Sequence, residues 1–194
     1  MKKETDFNIE IIRLHWFESN LNSQSDLKKL KEENDLDAQG EILVKIGGNI
    51  ISEPNLSLSL STAGLFLMRT CFENYKPNQY NNKLIPHCGH SIYPSFNKQY
   101  RVNINGCDIG YEWNITHQEN IIIHKSLDGY TSKILKNEYF KIIEKFTDKI
   151  EKFYKNSKPK EKPKEENERE EFEQFWLEWN ELKNKITTHN TVQN

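Results

Sequence analysis

The part of the sequence that most constrains the fold is a run of closely spaced strand patterns between residues 100 and 135. β-Branched and aromatic residues recur there in four short segments, which predict strands at 100–104, 111–116, 121–124 and 130–135. Connections this short cannot hold the crossover of a dozen or more residues that joins parallel strands. The sequence therefore predicts a meander of antiparallel strands.

A hairpin is predicted nearer the amino terminus. Strand patterns at 7–17, 41–46 and 50–51 surround the sequence Gly-Gly-Asn at 47–49. Its glycines permit the positive φ angles of a tight turn between two antiparallel strands. Residues 25–37 are charged and lack a hydrophobic period, which indicates a loop with room for a short helix.

A largely apolar helix is predicted to follow the hairpin. Leucine and serine alternate over 56–61, the period of a strand with one buried face. Beyond Thr62, apolar residues recur at spacings of three and four as far as Tyr75. This spacing predicts a helix that is capped by Ser61 or Thr62 and packed against a sheet. Residues 78–97 are rich in Asn, Pro and Gly, and we interpret them as a long loop.

The carboxyl-terminal third predicts two helices separated by prolines. One helix is indicated by apolar residues at helical spacing between 139 and 154, and it ends before the lysine- and proline-rich segment 158–164. We expect an α+β core domain over 1–157, a linker over 158–164, a helix over 165–187 that docks on the core through its aromatic residues, and a disordered tail over 188–194. The predicted architecture is an antiparallel sheet, built from the hairpin and the meander, with helices packed on one side.

Composition and charge exclude several classes of function. The formal net charge is -2 and only four of the basic residues are arginines, so we expect no nucleic-acid partner. No apolar run is long enough to span a bilayer, and the first residues turn acidic where a signal peptide would become apolar. The three cysteines are therefore expected to be reduced thiols in a cytoplasmic protein.

The densest group of metal-ligating residue types is His87-Cys88-Gly89-His90. These residues, with Cys107 as a fourth ligand and His117 and His124 as further candidates, have the donor types that suit a tetrahedral zinc site. A pair of Cys-x-x-Cys motifs is missing, however, so the favoured interpretation is a structural loop without a metal or cofactor. A zinc-binding protein or a metal-dependent hydrolase built on this loop is the alternative. Cys88 beside an imidazole also has the composition of a thiol nucleophile with its base, but no family signature accompanies it.

The predicted terminal helix is strongly acidic. Eight acidic residues and one basic residue lie between 165 and 181. If the aromatic residues of this helix face the core, the carboxylates of Glu166, Glu170, Glu173 and Glu181 face solvent. Such a surface attracts a basic protein partner by electrostatic steering. The alternative is a helix whose charges are merely solvated.

Several short segments together resemble small bacterial cytoplasmic proteins of the toxin-immunity type. They are Asp35-Leu36-Asp37-Ala38-Gln39-Gly40, Val44-Lys45-Ile46-Gly47, Ala63 through Arg69, Cys88-Gly89-His90, Gly106-Cys107 with Trp113, and Phe175-Trp176-Leu177-Glu178-Trp179. The resemblance implies a non-enzymatic binding protein that neutralises a cognate toxin by direct contact. A domain that dimerises through its aromatic terminal helix is a further alternative.

Overall fold

The computed structural model describes residues 6–16, 35–89, 91–95 and 99–192, and these residues form an α+β fold of antiparallel sheets with three helices. The strands are β1 (Phe7–His15), β2 (Gln39–Ile46), β3 (Asn49–Ile50), β4 (Leu58–Ser59), β5 (Ile85–Pro86), β6 (Ser91–Pro94), β7 (Val102–Asn105), β8 (Gly110–Tyr111), β9 (Asn114–Gln118), β10 (Ile121–Lys125) and β11 (Thr131–Leu135). The helices are α1 (Leu60–Arg69), α2 (Lys136–Asn156) and α3 (Glu166–Val192). Phe17 and most of the segment 25–37 lie outside the described residues.

The predicted hairpin is confirmed. β2 pairs with β1 on one side and with β3 and β4 on the other, always antiparallel. Gly47 and Gly48 form the turn with φ values of 59° and 78°, the left-handed conformation that a two-residue hairpin turn requires. Alternate residues of β2 are buried, including Ile42, Val44 and Ile46, so one face of this sheet lies on the core.

The meander is shorter than the sequence predicts. β9, β10 and β11 form a three-stranded antiparallel sheet, whereas β7 pairs with β6, and the predicted strand 111–116 is divided between β8 and β9. The division occurs at Trp113, which lies between β8 and β9 and whose side chain is fully buried in the core. β5 and β6 lie inside the predicted loop 78–97; they are short strands whose partners come later in the chain, so the local pattern does not reveal them.

Helix α1 is buried along its whole length. It begins at Leu60, whose N–H donates to the carbonyl oxygen of Ala38 at 2.8 Å, and it ends at Arg69. The predicted cap at Ser61 or Thr62 is therefore wrong. The capping position is Ser59, and its hydroxyl donates to the Asp37 carboxylate at 2.8 Å without capping a backbone N–H.

Helix α3 docks its aromatic face on the core. Phe175, Trp179 and Ile186 are buried. The ring of Trp179 lies so close to Gly64 that a Cβ at that glycine would come within 2.6 Å of it, and its indole N–H donates to Glu151 at 2.7 Å. The helix continues to Val192, so residues 188–192 are helical where the sequence predicts a disordered tail.

A buried ion pair joins α1, α3 and β7. The guanidinium of Arg69 contacts the Glu178 carboxylate at 2.7 Å, with side-chain exposures of 2% and 6%. The same carboxylate accepts the backbone N–H groups of Arg101 and Val102 at 2.8 and 3.2 Å, and Arg69 donates to the carbonyl oxygen of Val102 at 2.8 Å. The guanidinium also stacks 4.1 Å from the centre of the Tyr100 ring. These contacts satisfy both charges away from water.

Glu178→Ala is expected to lower the free energy of unfolding by about 3–5 kcal/mol, because it leaves the buried charge of Arg69 without a carboxylate to balance it. Glu181→Ala is the matched control on the same helix, since it removes a pair with Arg101 whose members are 39% and 50% exposed. That loss should cost less than about 1 kcal/mol. Urea denaturation measures both values, and equal losses would contradict the role assigned to the buried pair.

Two titratable groups, the buried His124 and the half-buried Asp37, act on stability in opposite directions. His124 is fully buried, stacks on Phe7 at 3.7 Å and accepts the Trp113 indole N–H at Nδ1. Burial lowers its pKa to about 3, so its contribution to stability is complete above the unfolded value of 6.5 and is lost as the pH falls towards 3. Burial raises the pKa of Asp37 from 3.8 to about 7, so the stability it contributes is lost as the pH rises through that interval.

Asp37→Asn should therefore reveal the pH dependence of stability that His124 causes. The wild-type free energy of unfolding should vary little between pH values of about 4 and 6.5, because the two slopes oppose each other. Relative to wild type, the free energy of unfolding of Asp37→Asn should rise by about 1.4 kcal/mol for each pH unit. The measurement is chemical denaturation across this range in EDTA, with Asp128→Asn on the exposed β10–β11 turn as the control. Parallel profiles for wild type and Asp37→Asn would refute the assignment.

Candidate metal centre

Two loops meet to form the site. His87 and Cys88 directly follow β5, and Cys107 lies between β7 and β8. β5 and β8 pair through two residues each, and the N–H of His87 extends this pairing by donating to the carbonyl oxygen of Ile109 at 3.0 Å. Gly110 permits the approach with a φ of 139°, because a Cβ there would lie 2.3 Å from the carbonyl oxygen of Ile85.

A buried asparagine clamps the first loop to the end of β7, the strand that leads into the second loop. The side-chain amide of Asn82 donates to the carbonyl oxygens of Cys88 and Ile104, each at 3.3 Å. At Gly106 a Cβ would lie 2.5 Å from the carbonyl oxygen of Cys88. Glycine at this position therefore lets the second loop approach the first more closely than a residue with a side chain would. The clamp consists of protein atoms alone, and it therefore positions the ligands before a metal arrives.

A second anchor ties the site to the start of α1. The hydroxyl of Thr62 donates to the carbonyl oxygen of Gly89 at 2.9 Å. A Cβ at Gly89 would lie 2.1 Å from that hydroxyl oxygen and 2.3 Å from the hydroxyl oxygen of Ser59. Sequence reasoning missed these supporting residues, although the glycines beside Cys88 and Cys107 were the signal that the backbone passes close to other groups.

The three described candidate ligands form one cluster. His87 Nδ1 lies 3.0 Å from Cys88 Sγ and 3.6 Å from Cys107 Sγ, and the two sulfurs are 3.3 Å apart. A tetrahedral zinc with Zn–S bonds of about 2.3 Å and Zn–N bonds of about 2.0–2.1 Å separates its ligand atoms by about 3.6–3.8 Å. The cluster needs to open by less than about 1 Å to accept the ion.

The thiols of the cluster are reduced, and the surroundings of Cys88 favour its protonated form. Cys88 and Cys107 are free and half-buried. Burial raises the pKa of the Cys88 thiol, and the neighbouring Cys107 raises it further. A raised pKa argues against a free thiolate nucleophile at Cys88, whereas a bound metal replaces the proton and stabilises the thiolate.

The other candidate ligands lie elsewhere or outside the described residues. His124 is held in the core by Trp113, and His117 Nε2 lies 2.9 Å from the carbonyl oxygen of Thr70, so neither joins the cluster. Cys71 is fully buried just beyond the carboxyl end of α1, as expected for a small core residue. His90 is outside the described residues, and its place in the site stays a prediction.

The predicted partner-binding glutamates are all exposed on α3, but their environments differ. Glu173 pairs with Lys162 at 2.6 Å, and Glu181 pairs with Arg101. Glu166 and Glu170 have no ion-pair partner in the described part of the chain. The net acidic surface is therefore smaller than the sequence count implies, and it lies mainly on the first turns of the helix.

Among the described residues, no helix combines the length and the apolar character needed to cross a membrane. Comparison of the chain with protein-family models, with curated proteins and with solved structures finds no match.

Proposed function

We propose that this protein binds one zinc ion through His87, Cys88 and Cys107, with the sequence-predicted His90 as the fourth ligand. The observation that supports the proposal is that one nitrogen and two reduced sulfurs from separate loops all lie within 4.8 Å of one another. A nitrogen and two thiols suit Zn²⁺, whereas Mg²⁺ and Ca²⁺ prefer oxygen ligands.

The proposed zinc has a structural role. It links the loop after β5 to the loop before β8, and Thr62 joins the first of these to α1. Zinc that binds only the folded chain stabilises it by mass action, by about 4 kcal/mol when free zinc is a thousand times its dissociation constant. With four protein ligands the coordination is closed, which is typical of structural rather than catalytic zinc sites.

Metal analysis of the purified chain tests the proposal. Wild type should bind one zinc per chain in competition with a chromogenic chelator, and His87→Ala, Cys88→Ser and Cys107→Ser should each weaken binding at least tenfold. His90→Ala should do the same if it supplies the fourth ligand. Cys71→Ala and His117→Ala are matched controls, because neither side chain lies at the cluster. Circular dichroism verifies that each variant folds, and wild type without stoichiometric zinc binding would overturn the proposal.

A second proposed function is neutralisation of a cognate toxin through α3. The observation that favours it is the docking of the aromatic face, which leaves Glu166 and Glu170 on the exposed side of α3, where neither forms an ion pair with another described residue. Carboxylates held in this way resemble a row of phosphates to a basic nuclease and accelerate its association.

Charge reversal at these two positions tests the second function. The purified product of the adjacent gene is the probe, because immunity proteins tend to sit beside their toxins. Glu166→Lys with Glu170→Lys should slow association at low salt by about tenfold, and the difference should shrink as salt screens the charges. Asp128→Lys with Glu138→Lys makes the same change in net charge elsewhere on the exposed surface. Equal rates for the two double variants, or no binding by wild type, would contradict an interface on α3.

A further inference from the structure

We propose that the Cys88 and Cys107 thiols form a reversible disulfide on exposure to a peroxide, and that this oxidation releases the zinc. The inference rests on the proposed zinc site and adds its regulation. It follows from the juxtaposition of two reduced sulfurs from separate loops beside one imidazole.

The distance between the sulfurs supports the disulfide. They are 3.3 Å apart, whereas a disulfide bond is about 2.05 Å long, so they need to approach by roughly 1.3 Å. The clamp at Asn82 and the close approach at Gly106 hold the loops together without a metal. The same loop arrangement therefore holds the ligands for zinc and brings the thiols within reach of each other.

Accessibility distinguishes this pair from the third cysteine. Cys88 and Cys107 are both half-buried, so a small oxidant in solvent reaches them. Cys71 is fully buried, and its thiol lies against the carbonyl oxygen of Leu67 at 3.8 Å. Peroxide should therefore act on the cluster and spare Cys71, which serves as an internal control.

The reaction balances with hydrogen peroxide as the oxidant. One thiolate attacks a peroxide oxygen, the O–O bond breaks, and a sulfenic acid and hydroxide form. The second thiolate then attacks the sulfenic sulfur, an S–S bond forms, and a second hydroxide leaves. In total, two thiolates, one hydrogen peroxide and two protons give one disulfide and two waters.

The disulfide and the zinc exclude each other. Zinc is bound by thiolates, and the sulfurs of a disulfide carry no negative charge. Of the four proposed ligands only the imidazoles of His87 and His90 then remain, and two neutral ligands bind the ion far more weakly than four ligands that include two thiolates. A thiol reductant restores both thiolates by exchange, and the site binds zinc again.

Peroxide titration of the zinc-loaded chain tests the proposal. A chromogenic chelator should detect one zinc released for each disulfide formed. Intact mass should fall by two hydrogen atoms, peptide mapping should show a Cys88–Cys107 linkage, and Cys71 should remain available for alkylation after denaturation. Excess dithiothreitol should restore zinc binding to its original stoichiometry. Cys71→Ala is the control, and peroxide should release its zinc and form its disulfide as in wild type.

The outcomes separate the two proposals. Zinc that binds at one per chain but is retained under peroxide, or is lost with sulfinic acids in place of the disulfide, overturns the switch and leaves the zinc site intact. A chain that never binds zinc overturns the zinc site and the switch together. When the metal-free chain is treated with peroxide, Cys107→Ser should abolish the disulfide. A linkage between Cys88 and Cys71 in the peroxide-treated wild type would also refute the assignment of the disulfide to Cys88 and Cys107.

Discussion

The complete burial of α1 is the constraint on which the rest of the structure depends. All ten of its residues are buried, and one of them is Arg69. A buried guanidinium requires a buried carboxylate and further hydrogen-bond partners, which α3 supplies through Glu178 and β7 through the carbonyl oxygen of Val102. Gly64 leaves the space for Trp179 of α3. The terminal helix is consequently part of the core. One of its many acidic residues, Glu178, lies in the interior and not on the surface.

The opposite end of α1 organises the candidate metal centre. Thr62 fixes the loop that carries Cys88, and Asn82 joins that loop to β7, the strand that precedes Cys107. The thiols therefore meet at a place that is already fixed by the packing of the core. Zinc would bridge the two loops through its ligands, and a disulfide would join them by a covalent bond. Both proposals for the site use the same prepared geometry, and neither requires a rearrangement of the helices.

Local patterns in the sequence predict the long elements, while contacts between distant residues decide the rest. The glycine turn at 47–48 and the aromatic spacing of α3 follow from chemistry within a few residues, and both predictions are confirmed. Two-residue strands such as β5 depend on partners far along the chain. The burial of Glu178 depends on Arg69, which no helical periodicity connects to it. For the candidate metal cluster, the sequence indicated which residues could be ligands, but their convergence rests on Asn82 and Gly106.

The central claim, that the cysteine and histidine loops form one zinc centre, is tested most directly by X-ray absorption at the zinc edge. In the zinc-loaded chain we expect two sulfur neighbours at about 2.3 Å and two nitrogen neighbours at about 2.0–2.1 Å. Loss of one sulfur in Cys107→Ser would identify the second loop as a contributor. A spectrum with only nitrogen and oxygen neighbours, unchanged by that substitution, would contradict it.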